Sequence, residues 1–350
     1  MSETGTRRTG RSEAWVVLLL FLAIWLPRVL ALDAFVTVDE RKWLARSANF
    51  YRAVSHGDWA NTFQREHPGV TVMWAGTLGF MQLVPEYPVQ ATGYIGSDEQ
   101  EIEAWLGANS AVTPLQALTA GRWWIVLGVS LLLTVAWFPL RRLLGVAAAT
   151  MGLLMIGWMP WAVALSRQLH PDGYVSSLIF TSFAFYLGWL WGGRRRRELI
   201  ISGVIMGLAW LTKTPAAFLV PIGGVLLALA WQDGRRQAKA GRARSAGREL
   251  LTGYVIWGGV AAATFFLLWP ATWVDPVGVF GRMAAEMEEY VGGHANPNFF
   301  WGQTVDDPGF LFYWVAYWFR TTPASLIGLL LAAVAAWRRL GGFATPRWRQ

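Results

Sequence analysis

Asp39 and Glu40 stand side by side just after the first long apolar stretch of the chain. Adjacent acids at a membrane surface can supply a general base together with a hydrogen-bonding or metal-binding neighbour. They can equally be two solvated loop acids. The same choice arises at Arg65-Glu66-His67-Pro68-Gly69, a turn with the groups to contact a phosphate or a metal ion and also the composition of an ordinary polar turn. A third cluster, Ser166-Arg167-Gln168-Leu169-His170-Pro171-Asp172, lies between two apolar stretches. Charges there are costly unless paired or used, so Arg167 and Asp172 form either an ion pair with each other or part of a site. Lys213 interrupts an otherwise apolar run, as a snorkelling cation or as a partner for a lipid-borne phosphate at headgroup level. The last cluster runs from Gly293-His294 through Asp306-Asp307-Pro308 to Arg320, where His294 offers a metal ligand or a hydrogen-bond donor.

What positions these groups is a set of membrane-spanning helices. The 350 residues are 54% hydrophobic and only 15% charged, against roughly 25% charged in a soluble domain. With 23 Trp and 19 Phe, the composition suits a chain whose solvent is lipid. A span needs about 20 apolar residues. Residues 14–32, 122–140, 143–165, 173–192, 251–270 and 311–337 qualify, the last entered through an interfacial helix. Residues 14–32 follow basic residues as a signal peptide would, but the run is long and lacks a small-x-small cleavage site, so it reads as a retained first span. Residues 199–231, broken at Thr212-Lys213-Thr214-Pro215, are flanked by basic runs on both sides. Cytoplasmic loops collect Lys and Arg, so this stretch reads as a hairpin with Lys213 at its outer tip, recessed into the outer leaflet.

The expected fold is therefore an all-α polytopic membrane protein of about eight spans with both termini cytoplasmic. Residues 1–13 and 338–350 form cytoplasmic tails, 14–337 the transmembrane domain, and 33–121 and 271–310 two long outer loops. Within the first loop, residues 40–55 place Trp43, Leu44, Ala48, Tyr51 and Val54 at helical spacing among charges, the pattern of an amphipathic interfacial helix. This topology puts 19 basic and 5 acidic residues inside, net +14, and 11 basic and 17 acidic outside, net −6. The overall charge of +8 is then a topogenic signal and not a nucleic-acid patch. All four histidines (His56, His67, His170, His294) fall outside. The absence of Cys excludes disulfides, thiolate metal sites and a thiol nucleophile. No phosphate-binding G-x-x-x-x-G-K-[ST] loop is present, and no matched pair of broken spans suggests an inverted-repeat transporter. The charges sit at the outer rim and not at mid-span, so rim chemistry is what remains.

In this order the clusters resemble the GT-C superfamily of membrane glycosyltransferases, closest to the protein O-mannosyltransferase and lipid A aminoarabinose transferase branch (glycosyltransferase family 39). The resembling residues are Asp39-Glu40, His67-Pro68-Gly69, Ser166-Arg167 with Pro171-Asp172, and Gly207-Leu208-Ala209-Trp210-Leu211-Thr212-Lys213. They continue with Gly293-His294 and the aromatic segment Asp307–Arg320 before Thr321-Thr322-Pro323. The resemblance implies a GT-C-like helix bundle and a polyprenyl-phosphate-linked sugar as donor. The sugar would pass with inversion to a protein, lipid or glycan acceptor outside the cytoplasm. It implies Asp39 as the general base and Glu40 as the residue that orients it or binds the acceptor. Lys213, Arg167 and Arg320 would carry the donor phosphate, since a leaving phosphate needs nearby cations. Glu66, His67, Asp172 and His294 are substrate or metal candidates, with a divalent ion near the phosphate held by His294 together with Glu66 or His67. His67-Pro68-Gly69 departs from the His-Pro-Pro of the mannosyltransferases, which argues against protein mannosylation. Members of that family run on through further spans, whereas this sequence stops at Gln350, as a fragment, a short member or a split gene would. The expected location is the plasma (inner) membrane. The rival readings are a lipid or glycan transporter, a non-catalytic glycan-assembly subunit, and a transferase of preassembled glycans from a pyrophosphate carrier.

Overall fold

The computed structural model describes residues 3–65, 67–96, 100–239, 247–293 and 297–340. Helices account for most of the described backbone. The principal ones are α1 (Glu3–Val29), α2 (Val38–His56), α3 (Val70–Leu83), α4 (Pro114–Val135), α5 (Pro171–Trp191), α6 (Arg196–Thr212), α7 (Leu219–Lys239) and α8 (Gly247–Leu268). A two-stranded hairpin, Asn298–Phe300 against Gln303–Val305, is the only sheet among the described residues.

Local sequence explains where the helices begin and end. Thr37-x-x-Glu40 closes a capping box at the start of α2, with the Glu40 carboxylate accepting from the Thr37 N–H and hydroxyl at 3.0 Å each. Gly57, in the left-handed region at φ 68°, ends the same helix. Thr113 and Gln116 form a second capping box ahead of Pro114 at the first turn of α4.

Helices α5 to α8 alternate in direction. Ser182 and Ser202 exchange hydrogen bonds, while Gly188 lies beside Glu198, so α5 and α6 are antiparallel. Tyr186 donates to the Gly223 carbonyl and Trp191 to Asp233, which sets α7 alongside α5 in the same direction. The chain therefore reverses between α6 and α7, and Lys213 stands at that reversal. Helix α8 follows α6 closely because α6 is small at the contact. A Cβ on Gly207 would lie 2.5 Å from the Ala261 carbonyl oxygen. Within lipid such packing and interhelical hydrogen bonds replace the hydrophobic drive. Trp257 is an example: it is fully buried, stacked on Tyr186 at 4.5 Å, and donates to the Ser202 hydroxyl at 2.9 Å.

Two expectations from the sequence need correction. Eight crossings are not found among the described residues. Among them four helices are long and apolar enough to cross a membrane (Pro114–Leu144, Pro171–Trp191, Thr214–Lys239 and Gly247–Leu268), or five with the bent pair Leu311–Arg320 and Pro323–Ala335. The 143–165 stretch is broken at Gly145 and again before Pro160. Its longest piece, Val146–Gly157, has 12 residues, about 18 Å of helix against a hydrocarbon core of about 30 Å. Expected span 14–32 lies in α1, whose apolar run stops at Pro27 and Arg28. The turn of 115° between Leu311–Arg320 and the next helix agrees with an interfacial entry, and exposed Tyr313, Trp314, Tyr317 and Trp318 suit a membrane–water boundary. The second correction concerns residues 40–55. They do form a helix, α2, but its apolar face is covered by protein: Trp43, Leu44, Ala48 and Phe50 are buried in one core with Val72, Met73 and Phe80 of α3.

Candidate active site

The ends of several elements converge on one polar cleft of about 880 Å³. The start of α2 supplies Asp39, Lys42, Trp43 and Arg46. The 64–67 segment supplies Arg65 and His67, the start of α5 supplies His170 and Asp172, and the α6–α7 reversal supplies Lys213 and Thr214. Four side chains in this lining are cationic and two are carboxylates.

A row of alternating groups crosses the cleft. Asp39 Oδ2 lies 3.8 Å from His170 Nε2, His170 Nδ1 lies 3.7 Å from Asp172 Oδ2, and Asp172 Oδ1 lies 2.5 Å from Lys213 Nζ. Lys42 approaches Asp39 at 3.7 Å. Asp39 is the most open member, its side chain 60% exposed, whereas His170 is 17% exposed. Burial lowers the His170 pKa below its ordinary value, and it does so against the opposing pull of Asp172 and Asp39. The ring is therefore neutral near pH 7. As N-cap of α5, it accepts the Asp172 N–H on Nδ1 at 3.4 Å.

Glu40 has a different position from its neighbour. It is fully buried and faces away from the cleft. Arg122 of α4 donates to Glu40 Oε1 at 2.7 Å and to Oε2 at 2.6 Å, and the Leu169 N–H donates to Oε1 at 2.8 Å. Arg122 also binds the Leu32 and Phe35 carbonyls. Desolvation would raise the Glu40 pKa, but the Arg122 hydrogen bonds, the Thr37 N–H and the Leu169 N–H together hold it below the usual range. This buried knot ties the start of α2 to the 166–170 turn and so fixes Asp39 relative to His170 and Asp172.

The same turn is held from α1. Arg28 donates to the Ser166 hydroxyl at 2.8 Å, and Arg167 to the Leu30 and Ala31 carbonyls. Of the two alternatives for Arg167 and Asp172, the mutual ion pair is not the one formed: Lys213 takes Asp172, and Arg167 lies outside the cleft lining. Arg320 is also apart from the cleft, stacked on the Trp161 ring at 4.2 Å.

The turn at His67-Pro68-Gly69 is sewn to the hairpin tip. His67 Nδ1 meets the Thr214 hydroxyl at 3.0 Å, the Gly69 N–H donates to the Thr212 carbonyl at 3.2 Å, and the Thr71 and Thr212 hydroxyls are 2.7 Å apart. Gly69 sits at φ +57°, and a Cβ there would come within 2.0 Å of the Trp43 ring. Glycine is thus required both by conformation and by the indole beside it. Glu66 and His294 lie outside the described residues. Of the substrate or metal candidates this leaves Asp172, paired with Lys213, and His67, whose Nδ1 is engaged by Thr214. Among the described residues no group of three His, Cys, Asp or Glu side chains assembles.

In the sequence His170 stands in the third cluster without an assigned role, and Arg122 is not singled out. His170 was identifiable from its place before Pro171 and Asp172, an N-cap position that must turn its ring toward the helix end. Arg122 was signalled by a charge in an apolar helix.

Residues 111–269, somewhat under half of the chain, match the family model of dolichyl-phosphate-mannose-protein mannosyltransferases. No curated protein and no solved structure matches the chain. The matched stretch contains Arg122, His170, Asp172 and Lys213, while Asp39 and His67 come from the segment before it and fold onto it. The chain is thus a GT-C-like membrane protein, similar to the mannosyltransferases of glycosyltransferase family 39.

Proposed function

We propose that the cleft transfers a sugar from a polyprenyl-phosphate donor to an acceptor hydroxyl, with inversion, on the extracytoplasmic side of the plasma membrane. The observation that carries this reading is the convergence of an exposed carboxylate, Asp39, with four cationic side chains on one cleft at the end of an apolar helix bundle. An anionic head on an apolar tail fits that combination.

In this scheme Asp39 takes the acceptor proton as the acceptor oxygen attacks the anomeric carbon. The bond from that carbon to the phosphate oxygen breaks, and polyprenyl phosphate leaves with the electron pair. Lys213, already oriented by Asp172, meets the charge that develops on the leaving phosphate. Glu40 acts from within the protein by fixing the start of α2. Arg167 and Arg320 take no part in phosphate binding in this arrangement. No step is routed through a metal. The side assignment rests on charge: the bundle end opposite the cleft carries Arg141, Arg142 and Arg194–Arg197, the pattern of a cytoplasmic face.

The test is turnover of a radiolabelled panel of polyprenyl-phosphate sugars in membranes carrying wild type or Asp39→Asn. Sugar release or transfer by wild type alone is expected. Donor binding by both proteins with turnover by neither would overturn the catalytic reading in favour of a binding or assembly subunit.

A further inference from the structure

We infer that His170 is a positioning residue for Asp39, holding the carboxylate by its Nε2–H while Asp172 fixes the other side of the ring. The inference rests on the role proposed above for Asp39.

The argument begins with the ring's two nitrogens. The Asp172 N–H points at Nδ1 at 3.4 Å, and a nitrogen that accepts a hydrogen bond carries no proton. The single proton of the neutral ring is then on Nε2. Nε2 is the atom that faces Asp39 Oδ2, 3.8 Å away. A modest rotation of the Asp39 side chain closes that gap, and hydrogen bonds of this kind commonly shorten once substrate is bound.

The ring has little freedom to do otherwise. Its backbone is extended at φ −151°, ψ 148° as the N-cap of α5, and it is followed by Pro171. The edge of Trp43 packs against it with the rings near perpendicular. The 166–170 turn beneath it is held by Arg28, by Arg167 and by Glu40 through the Leu169 N–H. Asp39, by contrast, has only Lys42 and His170 within ion-pair distance among the described residues, and its side chain is 60% exposed. A rigid donor beside an open carboxylate restricts which oxygen lone pair faces the cleft. It also bars Asp39 from turning fully toward Lys42, the orientation that would withdraw it from an acceptor.

Two variants separate this role from simple helix capping. Asn places its amide oxygen near the Nδ1 position and so keeps the cap, but it cannot reach Asp39. Gln places its amide nitrogen near Nε2, keeping the donor toward Asp39 while giving up the cap. Sugar release from the polyprenyl-phosphate panel is measured for wild type, His170→Asn and His170→Gln, as kcat and donor KM, alongside apparent Tm. The expected result is a fall in kcat of roughly 10²-fold for Asn, the scale of a misplaced catalytic group, with donor KM within about twofold, and a kcat for Gln within tenfold of wild type. Near-wild-type kcat for Asn overturns the inference, and so does an equal loss in both variants. If wild type itself releases no sugar from any donor, or Asp39→Asn turns over normally, the proposed function fails, and the role of His170 falls with it.

Discussion

Replacing Arg122 with Met tests the buried knot beneath the cleft most directly. Arg122 is 4% exposed at its side chain and Glu40 is fully buried. Arg122 joins Glu40 through two hydrogen bonds of 2.7 and 2.6 Å and also satisfies the Leu32 and Phe35 carbonyls. Removing it leaves a buried carboxylate with three remaining donors and no cation, and it leaves two carbonyls without that partner. Breaking a buried pair from one side costs about 3–5 kcal/mol. For a chain of this size that corresponds to a fall in apparent Tm of roughly 4–7 °C. The cost lies mainly in the stranded Glu40 charge, so Arg122→Met combined with Glu40→Gln should be less destabilised than Arg122→Met alone, a coupling of about 1–3 kcal/mol. The assay is thermal unfolding of the four members of the cycle in one detergent, with sugar turnover measured in parallel. A Tm for Arg122→Met within 2 °C of wild type would refute the account, as would strict additivity, because either means that the pair does not hold the two segments together.

Lys213→Met should lower kcat/KM for the polyprenyl-phosphate donor by roughly 10²–10³-fold, with Lys213→Arg intermediate, since Asp172 would then face the donor phosphate without its cation; donor titration in membranes checks this. Gly69→Ala combines a left-handed backbone with a collision against Trp43, and should cost more than the roughly 1–2 kcal/mol of the conformation alone; in a Trp43→Ala background, itself destabilised by loss of a core indole, the same substitution should cost less, which a Tm cycle checks. The lowered pKa of Glu40 gives stability that is fully present above the ordinary glutamate value of 4.5 and is lost as pH falls through the folded value. Wild-type Tm should therefore drop on acidification below that point, and Glu40→Gln should flatten this part of the curve.

Lys213 could be located from the sequence because two basic flanks demanded an even number of crossings between them, and a reversal had to fall at Thr212–Pro215. Asp39 was likewise marked by its place just after an apolar run. Other features depend on information that a linear pattern lacks. Asp39 and Glu40 are neighbours in sequence, but successive helical residues are rotated by about 100°, so one faces the cleft and the other the core. Proximity along the chain offers Arg167 as a partner for Asp172, yet Asp172 sits in the first turn of α5 and meets Lys213 at the end of α6. Residues 40–55 showed an apolar face without showing what would cover it, and α3 did so in place of lipid. The break in residues 143–165 was written in Gly145 and Pro160, but hydropathy summed over the stretch hid both.

The bonds from His67, Gly69 and Thr71 to Thr212 and Thr214 join positions more than 140 residues apart in the chain. During synthesis the segment carrying His67, Gly69 and Thr71 must therefore wait until the hairpin at 196–239 has formed and its tip arrives. The cleft cannot close before then. The unit that can be exchanged between related proteins is accordingly neither the loop nor the spans. A graft of residues 33–121 would need its matching threonines at 212 and 214 to travel with it.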